Sequence, residues 1–317
     1  MREAIKAVER AYIDRANGNA TVPKRTTLDV PETNGIAMML PSYLPKMGVF
    51  GTKLVSVFFD NPKRGLPLVS AVIMLQDGKT GEPTVIMDGN LPTAIKTGAA
   101  TGAATGALAR KDVRSIGLIG TGYQAPWQLE AVCEVRPQVR EIVVFDLDQE
   151  KSRAFAREMG TFLSRFQVRV IHVESSEEAV REKDIIITVT TSTRPVFDGN
   201  WIREGAHINA VGSFTPEMQE LDETTIMRAG KIVTDVREEA LEMVGDLIKP
   251  IRKGVVSENV IYCEIGEILS GKRLGRERED EITLFESVSM SALDVAVART
   301  IYENAVKLGI GQQVKLN

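Results

Sequence analysis

Two cysteines and two histidines in 317 residues leave little room for thiol or metal chemistry. Neither His172 nor His207 has a companion Cys, His or carboxylate at a ligand spacing, so no metal site is expected. Cys133 and Cys263 stand alone, one in a helix-like and one in a strand-like context, and read as small buried hydrophobes of a reducing cytoplasm. No run approaches the ~18 apolar residues of a membrane span. The first residues hold no apolar stretch of signal-peptide type, so a cytoplasmic protein is expected. Blocks of basic residues are missing, and the formal net charge of −4 points away from nucleic acid and membrane as partners. Low-complexity tracts and solenoid-type repeats are absent as well.

What remains is the composition of a globular chain, 43% hydrophobic and 26% charged, long enough for two domains. Its most informative stretch begins at Ser115, where a short apolar run has the character of a buried parallel strand. Gly120, Gly122 and Ala125 follow as G-x-G-x-x-A. The first glycine allows a tight turn, the second lets a pyrophosphate approach the backbone, and the small third residue lets helix pack on strand. The next helix, with Pro126 in its first turn, would offer N–H groups and a positive dipole end. A second strand, Ile142 to Phe145, ends at Asp146, where a carboxylate can accept ribose hydroxyls. Asp146 would repel a 2′-phosphate, and Leu147-Asp-Gln brings no adjacent arginine. Lys151 and Arg153, on the following helix, are expected to face solvent. NAD(H) is favoured as cofactor, with NADP(H) left open.

Around this motif the chain is organised in two parts. Met1 to Asn17 reads as an amphipathic helix with Ile5, Val8, Ala11, Tyr12 and Ala16 on one face. The chain opens already inside that helix, which leaves room for a preceding element. Four β-like runs follow (Ile36–Leu40, Gly51–Phe59, Leu68–Leu75 and Pro83–Met87), with a strong hairpin turn at Asp77-Gly-Lys-Thr-Gly. They are expected to form one antiparallel sheet. Between Thr93 and Ala109, Gly98, Gly102 and Gly106 make a smooth helix face for close packing. Strands recur at 168–173, 184–190, 207–211 and 231–234 with helical stretches between, which implies a parallel doubly wound sheet. The expected fold is α/β: a Rossmann-type domain over 110–291, and an α+β domain over 1–109 to which a last helix, 292–308, returns.

Six segments, in order and spacing, resemble the ornithine cyclodeaminase/μ-crystallin family: Pro23-Lys-Arg25, Gly51-Thr-Lys53, Leu91-Pro-Thr-Ala-Ile-Lys-Thr-Gly-Ala-Ala, Gly120-Thr-Gly-Tyr-Gln-Ala, His207-Ile-Asn-Ala-Val-Gly-Ser and Ile282-Thr-Leu-Phe-Glu-Ser. The resemblance covers nearly the whole chain. It implies a dinucleotide domain joined to a substrate and dimerisation domain that both chain ends build, and therefore a homodimer or a multiple of it. Members act on small imino or amino acids, as cyclodeaminases, an archaeal type of alanine dehydrogenase, and ketimine or Δ1-pyrroline-2-carboxylate reductases; some are crystallins that bind thyroid hormone.

The resemblance also assigns residues. Arg25 and Lys53 become the cationic partners of a substrate carboxylate. Lys53 is in addition the candidate for assisting proton transfer, on the expectation of a buried ammonium crowded by Arg25. Lys96 stands where the family usually has arginine, keeping the charge but losing the planar fork. With Thr97 it is expected near the pyrophosphate or the substrate carboxylate. Tyr123 and Gln124 are expected at the pyrophosphate, and Thr190, Val211, Gly212, Ser213 and Ser287 at the nicotinamide half. Ser289 replaces a usual glycine, so the local backbone is expected to differ there. His207, Asp222, Asp235 and Asp246 read as packing, turn or cap residues.

Two departures separate the possible reactions. Where cyclodeaminases carry an acid after a glycine pair, this chain has Phe214; where they carry a glutamate for the distal ammonium of ornithine, it has Met38. A second ammonium buried against a thioether and a ring would be expensive. The expected reaction is thus NAD(P)H-dependent reduction of a cyclic imine acid, Δ1-pyrroline-2-carboxylate to proline or its six-membered homologue to pipecolate. An alanine-dehydrogenase-like oxidoreductase ranks second, an ornithine cyclodeaminase third, and a non-catalytic crystallin-type binder, which intact Arg25 and Lys53 argue against, fourth.

Overall fold

In the computed structural model, which describes residues 1–315, the chain divides into two compact units. One comprises Met1–Ile5 and Thr97–Ser289, the other Lys6–Lys96 and Met290–Asn317. The division falls inside two helices, α1 (Arg2–Ala16) and α2 (Asn90–Leu108).

The second unit is a sheet of five antiparallel strands paired in sequence order: β1 (Thr26–Val30), β2 (Gly35–Leu44), β3 (Val49–Phe58), β4 (Val69–Asp77) and β5 (Pro83–Asp88). Its turns follow from local chemistry. Asn34, Gly48 and Gly65 take positive φ, and the Asp77 carboxylate accepts the N–H groups of Lys79 and Thr80 at 2.9 Å each. Because side chains alternate along a strand, the sheet has two unlike faces. Leu40, Leu44, Val49, Ala71, Ile73 and Leu75 are buried, and the C-terminal helix of the chain, Ser291–Leu308, packs on β2, β3 and β4. On the opposite face Leu28, Met39, Leu54, Val72 and Ile86 are exposed. Met39 pairs with Leu54 and Leu54 with Val72, so these apolar groups form a continuous row across three strands.

The first unit carries eight parallel strands with intervening helices: β6 (Ser115–Ile119), α3 (Ala125–Val135), β7 (Glu141–Phe145), α4 (Gln149–Phe162), β8 (Arg169–His172), α5 (Ser176–Val180), β9 (Ile185–Thr188), β10 (His207–Ala210), α6 (Glu223–Arg228), β11 (Lys231–Thr234), α7 (Arg237–Met243), α8 (Gly245–Arg252), β12 (Ile261–Glu264), α9 (Ile265–Leu269) and β13 (Thr283–Glu286). The C-terminal helix is therefore α10. The spatial order is β12-β11-β13-β10-β9-β6-β7-β8. Successive residues serve opposite cores: Ile116, Leu118, Ile142, Val144, Ile185 and Ile187 face one, Ile119, Val143 and Ile186 the other. Both faces are thus covered, as a parallel sheet requires. Among the described residues no helix is long and apolar enough to cross a membrane.

Two short strands, β1 and β13, lie outside the sequence expectation, while β12 contains Cys263, whose context reads as strand-like. The glycines of α2 also divide differently from their pattern. A Cβ on Gly98 would meet the Trp127 carbonyl at 2.4 Å, and one on Gly102 would meet Ile5 and Ala131. Gly106, in contrast, has nothing within 4 Å and is exposed, so it is not a packing glycine. In β6, a Cβ on Gly117 would fall 1.6 Å from the Ala179 carbonyl. Gly106→Ala should therefore stabilise the fold by about 0.4–1 kcal/mol, whereas Gly117→Ala should lower the thermal midpoint sharply because a backbone must move. Paired melting curves check both signs, and a stable Gly117→Ala protein would contradict this packing.

Candidate active site

The inner face of the second unit contains a buried charge cluster. Lys53, in the central strand β3, lies between Leu40 and Ile73 in the sheet register. An ammonium there would be costly without an acceptor. Asp294, in the first turn of α10, supplies it: Lys53 Nζ donates to Asp294 Oδ1 at 3.0 Å, and Lys96 Nζ, from α2, donates to Oδ2 at 3.1 Å. All three side chains are at most 6% exposed. Desolvation works to raise the Asp294 pKa, but Lys53 and Lys96 outweigh it and hold the carboxyl below its ordinary value. The positive end of the helix dipole acts in the same sense. Sequence reading passes over Asp294; the signal for it is an acid set inside the apolar stretch Leu293-Asp-Val-Ala-Val of the last helix. The expectation of Lys53 crowded by Arg25 is corrected accordingly, since its nearest charged partner is this carboxylate.

Arg25 is half-buried immediately before β1. It precedes Thr26, which pairs with Met39 of β2. Met38 lies on the Lys53 face, paired with Val55 and half-buried. Phe214 belongs to the other unit, on the loop after β10, and is 48% exposed.

In the first unit the expected cofactor residues gather at the C-terminal ends of neighbouring strands. Gly120 leaves β6 with φ of 99°, and a Cβ there would approach the Val189 carbonyl to 2.7 Å. Over Gly122 nothing lies within 4 Å, so the backbone is open to an approaching group, and the buried Gln124 Oε1 has no hydrogen-bond partner. Ala125 and Pro126 open α3, while Tyr123 is 64% exposed. Asp146 follows β7 and accepts the N–H and hydroxyl of Thr121, both at 2.8 Å, and the N–H of Asp148 at 3.1 Å. Burial would raise its pKa, but these donors together hold it below the ordinary value, so it is a carboxylate. Lys151 and Arg153 are exposed, as expected, and the Lys151 Nζ lies 3.4 Å from Asp146 Oδ2. Sequence order reverses between β6 and β9, the switch point at which open α/β sheets bind nucleotides. These features fit a dinucleotide.

Beyond the switch point the strand ends rest on buried carboxyl groups. Glu220 accepts the N–H of Thr190 at 2.6 Å, the N–H of Gly212 at 2.8 Å and the Thr188 hydroxyl at 2.9 Å. Asp246 Oδ1 accepts the N–H groups of Glu220 and Leu221 at 2.6 and 2.7 Å, and the Ser213 hydroxyl accepts the N–H of Gly245 at 3.1 Å. Asp235 Oδ2 accepts the Ser287 hydroxyl at 2.5 Å and the N–H of Ser289 at 2.7 Å. Asp235 and Asp246 are thus buried anchors rather than turn or cap residues, while Asp222 does cap α6. Ser289 has φ of 64°, the left-handed conformation that favours glycine. Glu286, at the end of β13, is buried with neither oxygen partnered. Desolvation, then repulsion by neighbouring acids, raises Glu286 well above a carboxylate's ordinary pKa and Asp246 to about 7. With no donor to hold a charge, burial favours the protonated form of Glu286. Neither Glu220 nor Glu286 was singled out in the sequence: Glu220 is one of several acids in the stretch 217–223, and Glu286 lies within the Ile282-Thr-Leu-Phe-Glu-Ser segment without a role of its own.

The remaining candidates are structural. His207 is wholly buried, with Nδ1 3.0 Å from Thr283 Oγ1 and Nε2 3.2 Å from Asn209 Oδ1. Burial, then Arg276, pushes its pKa down to about 3, so it packs as a neutral ring. Burial pushes both cysteine thiols up to about 12.

A doubly wound sheet with this glycine turn, joined to a unit that buries paired ammonium groups on one carboxylate, defines a dinucleotide-dependent enzyme. The chain belongs to the ornithine cyclodeaminase/mu-crystallin family, whose model matches residues 1–309. It is 37% identical over 315 residues to a Δ1-pyrroline-2-carboxylate reductase of Bacillus cereus, covering 99% of this chain and 95% of that one. It is similar to the structure of Thermococcus litoralis Δ1-pyrroline-2-carboxylate reductase in complex with NADH and L-proline, with a TM-score of 0.93 and 43% identity over 99% of this chain and 96% of that one. An archaeal alanine dehydrogenase dimer with bound NAD gives a TM-score of 0.91 and 36% identity, covering 100% and 95%.

The Asp246 environment has a measurable consequence. In the unfolded chain this group ionises near pH ~4, whereas in the folded chain it keeps its proton to about 7. Its contribution to stability is therefore full in acid and is lost as pH rises through that interval. Asp246→Asn keeps the oxygen that accepts both N–H groups, and should flatten this decline and raise stability at pH 8 by about 1–3 kcal/mol. Urea midpoints at pH 5 and pH 8 test it; an unchanged slope in the variant would count against the assignment.

Proposed function

We propose that this protein is an NADH-dependent reductase of cyclic imine acids, converting Δ1-pyrroline-2-carboxylate to L-proline, with the six-membered homologue as a substrate of the same chemistry. The observation that carries the proposal is the Lys53–Asp294–Lys96 cluster. Two buried ammonium groups converge there on one carboxylate, a cationic setting that suits the carboxylate of an imino acid. The full-length likeness to the Bacillus cereus and Thermococcus litoralis reductases supports the choice of substrate and of NAD(H).

The dinucleotide, when bound, supplies a hydride to the imine carbon. Gly120, Gly122, Tyr123, Gln124 and Ala125 receive the pyrophosphate, Asp146 the ribose hydroxyls, and Thr190, Val211, Gly212, Ser213 and Ser287 the nicotinamide half. Lys96 with Thr97 serves the pyrophosphate or the substrate carboxylate, and its ammonium stays tied to Asp294. Lys53 and Arg25 hold the substrate carboxylate and thereby fix the imine carbon for attack, a positioning effect with a large ceiling. Reduction takes one hydride at carbon and one proton at nitrogen: an iminium enters already carrying that proton, and for the neutral imine the Lys53 ammonium is the group that supplies it. Met38 and Phe214 add no charge, which favours an uncharged ring over the ammonium tail of ornithine. The likeness to the archaeal alanine dehydrogenase carries a second reading, oxidation of a short amino acid, which would require handling free ammonia as well.

NADH consumption with pyrroline-2-carboxylate, with pyruvate plus ammonium, and with ornithine decides among these. Rapid reduction of the first, with NADH preferred to NADPH, is expected; ammonia release from ornithine would sink the reductase reading. Lys53→Ala should lower kcat/KM by about 10²–10⁴-fold with NADH affinity little changed, while Arg25→Ala should mainly raise KM.

We also infer a homodimer formed through the outer sheet face. Leu28, Met39, Leu54, Val72 and Ile86 expose a contiguous apolar surface of the kind monomers seldom leave in water. Light scattering at micromolar concentration should give a dimer or a multiple of it, and Leu54→Lys with Val72→Lys should lower the mass. A monomeric unaltered protein would refute this.

A further inference from the structure

The residues that receive the nicotinamide half sit at strand ends, and those ends need something to fix them. The β9–β10 ladder finishes where the Val211 N–H donates to the Thr188 carbonyl at 3.0 Å. Beyond that bond the two chain segments are joined through a side chain. Glu220, fully buried, accepts the N–H of Thr190 on one carboxylate oxygen and the N–H of Gly212 with the Thr188 hydroxyl on the other. The fit is close: a Cβ on Gly212 would lie 2.5 Å from Glu220 Cδ and 2.3 Å from the Thr190 carbonyl. Glu220 is itself fixed, because Asp246 accepts its N–H at 2.6 Å.

We propose that Glu220 is a positioning residue for the nicotinamide end of the dinucleotide: by holding Thr190 and Gly212 at a set spacing it fixes the gap between the ends of β9 and β10, without touching the cofactor. The inference rests on the reading of the chain as a dinucleotide-dependent reductase. The topology says which end is affected. The adenosine half belongs to β6 and β7, with the Gly120 turn and Asp146, so the other half falls across the switch point on β9 and β10. All three donors to Glu220 lie on that second side.

The test compares two ligands, NADH and ADP, the latter lacking the nicotinamide ribose and ring. Dissociation constants are measured by calorimetry for the unaltered protein, Glu220→Gln and Thr188→Val. Glutamine keeps one acceptor oxygen but presents an amide N–H₂ where an acceptor is needed, so one backbone anchor fails. NADH binding should weaken about tenfold in Glu220→Gln and about threefold in Thr188→Val, with ADP binding changed less than twofold. In steady state kcat should fall while the KM for the imine acid holds. Should Glu220→Gln not fold, Thr188→Val, which removes only a hydroxyl, decides. Equal weakening of NADH and ADP would make Glu220 a structural residue and overturn the proposal, as would unchanged NADH binding in both variants. An unaltered protein that binds neither ligand would overturn the dinucleotide reading itself, and this inference with it.

Discussion

A single carboxylate makes the inner face of the five-stranded sheet tenable. Asp294 accepts from two buried lysines, one of them set between Leu40 and Ile73, where an uncompensated charge costs several kcal/mol. The three residues come from β3, α2 and α10, separated in sequence by 198 and 241 positions from the acid. No local preference could assemble them. The cluster therefore ties the sheet, the helix that leaves it and the last helix of the chain into one arrangement, and each of those elements carries part of the proposed substrate site.

The other unit solves a different problem with opposite charge. Its strand ends must stay open for a ligand, so their backbone N–H groups cannot all be satisfied by further ladder bonds. Glu220, Asp246 and Asp235 take up those groups from behind. Crowding so many acids into one dry region forbids full ionisation, and Glu286, which has no donor, is the natural holder of a proton. The price of this arrangement is strain of the titrational kind, borne at a place where a rigid backbone matters.

Much of this was legible in the chain itself, and the reasons for the gaps are physical. Periodicity reads one element at a time, so long runs such as β3 and α10 were placed to within two residues, as were the Gly120 turn and the Asp146 strand end, while β2 was read at half its length. Short strands such as β1 and β13 carry too few residues to show a period. Gly106 illustrates the limit of pattern: it continues the spacing of Gly98 and Gly102 yet meets nothing, since whether a glycine is needed depends on a neighbour elsewhere in the chain. Asp294, Glu220 and Glu286 escaped for the same reason. A buried acid is explained by its partners, and those lie on other elements. Lys53 and Arg25 were singled out because they sit in recognisable segments; the partner of Lys53, Asp294, was not.

The discontinuous second unit has a consequence for biosynthesis. Its sheet is translated before the nucleotide-type unit, but α10 leaves the ribosome only after that unit. Until it does, β2, β3 and β4 lack their cover and Lys53 lacks its acceptor, while the nucleotide-type unit between them is already complete. The nascent protein thus carries an exposed apolar sheet through most of its synthesis, a state in which non-native association competes with folding. Loss of a few residues around Asp294 would leave that sheet permanently uncovered, so truncated chains should be cleared as unfolded rather than persist as partial enzymes.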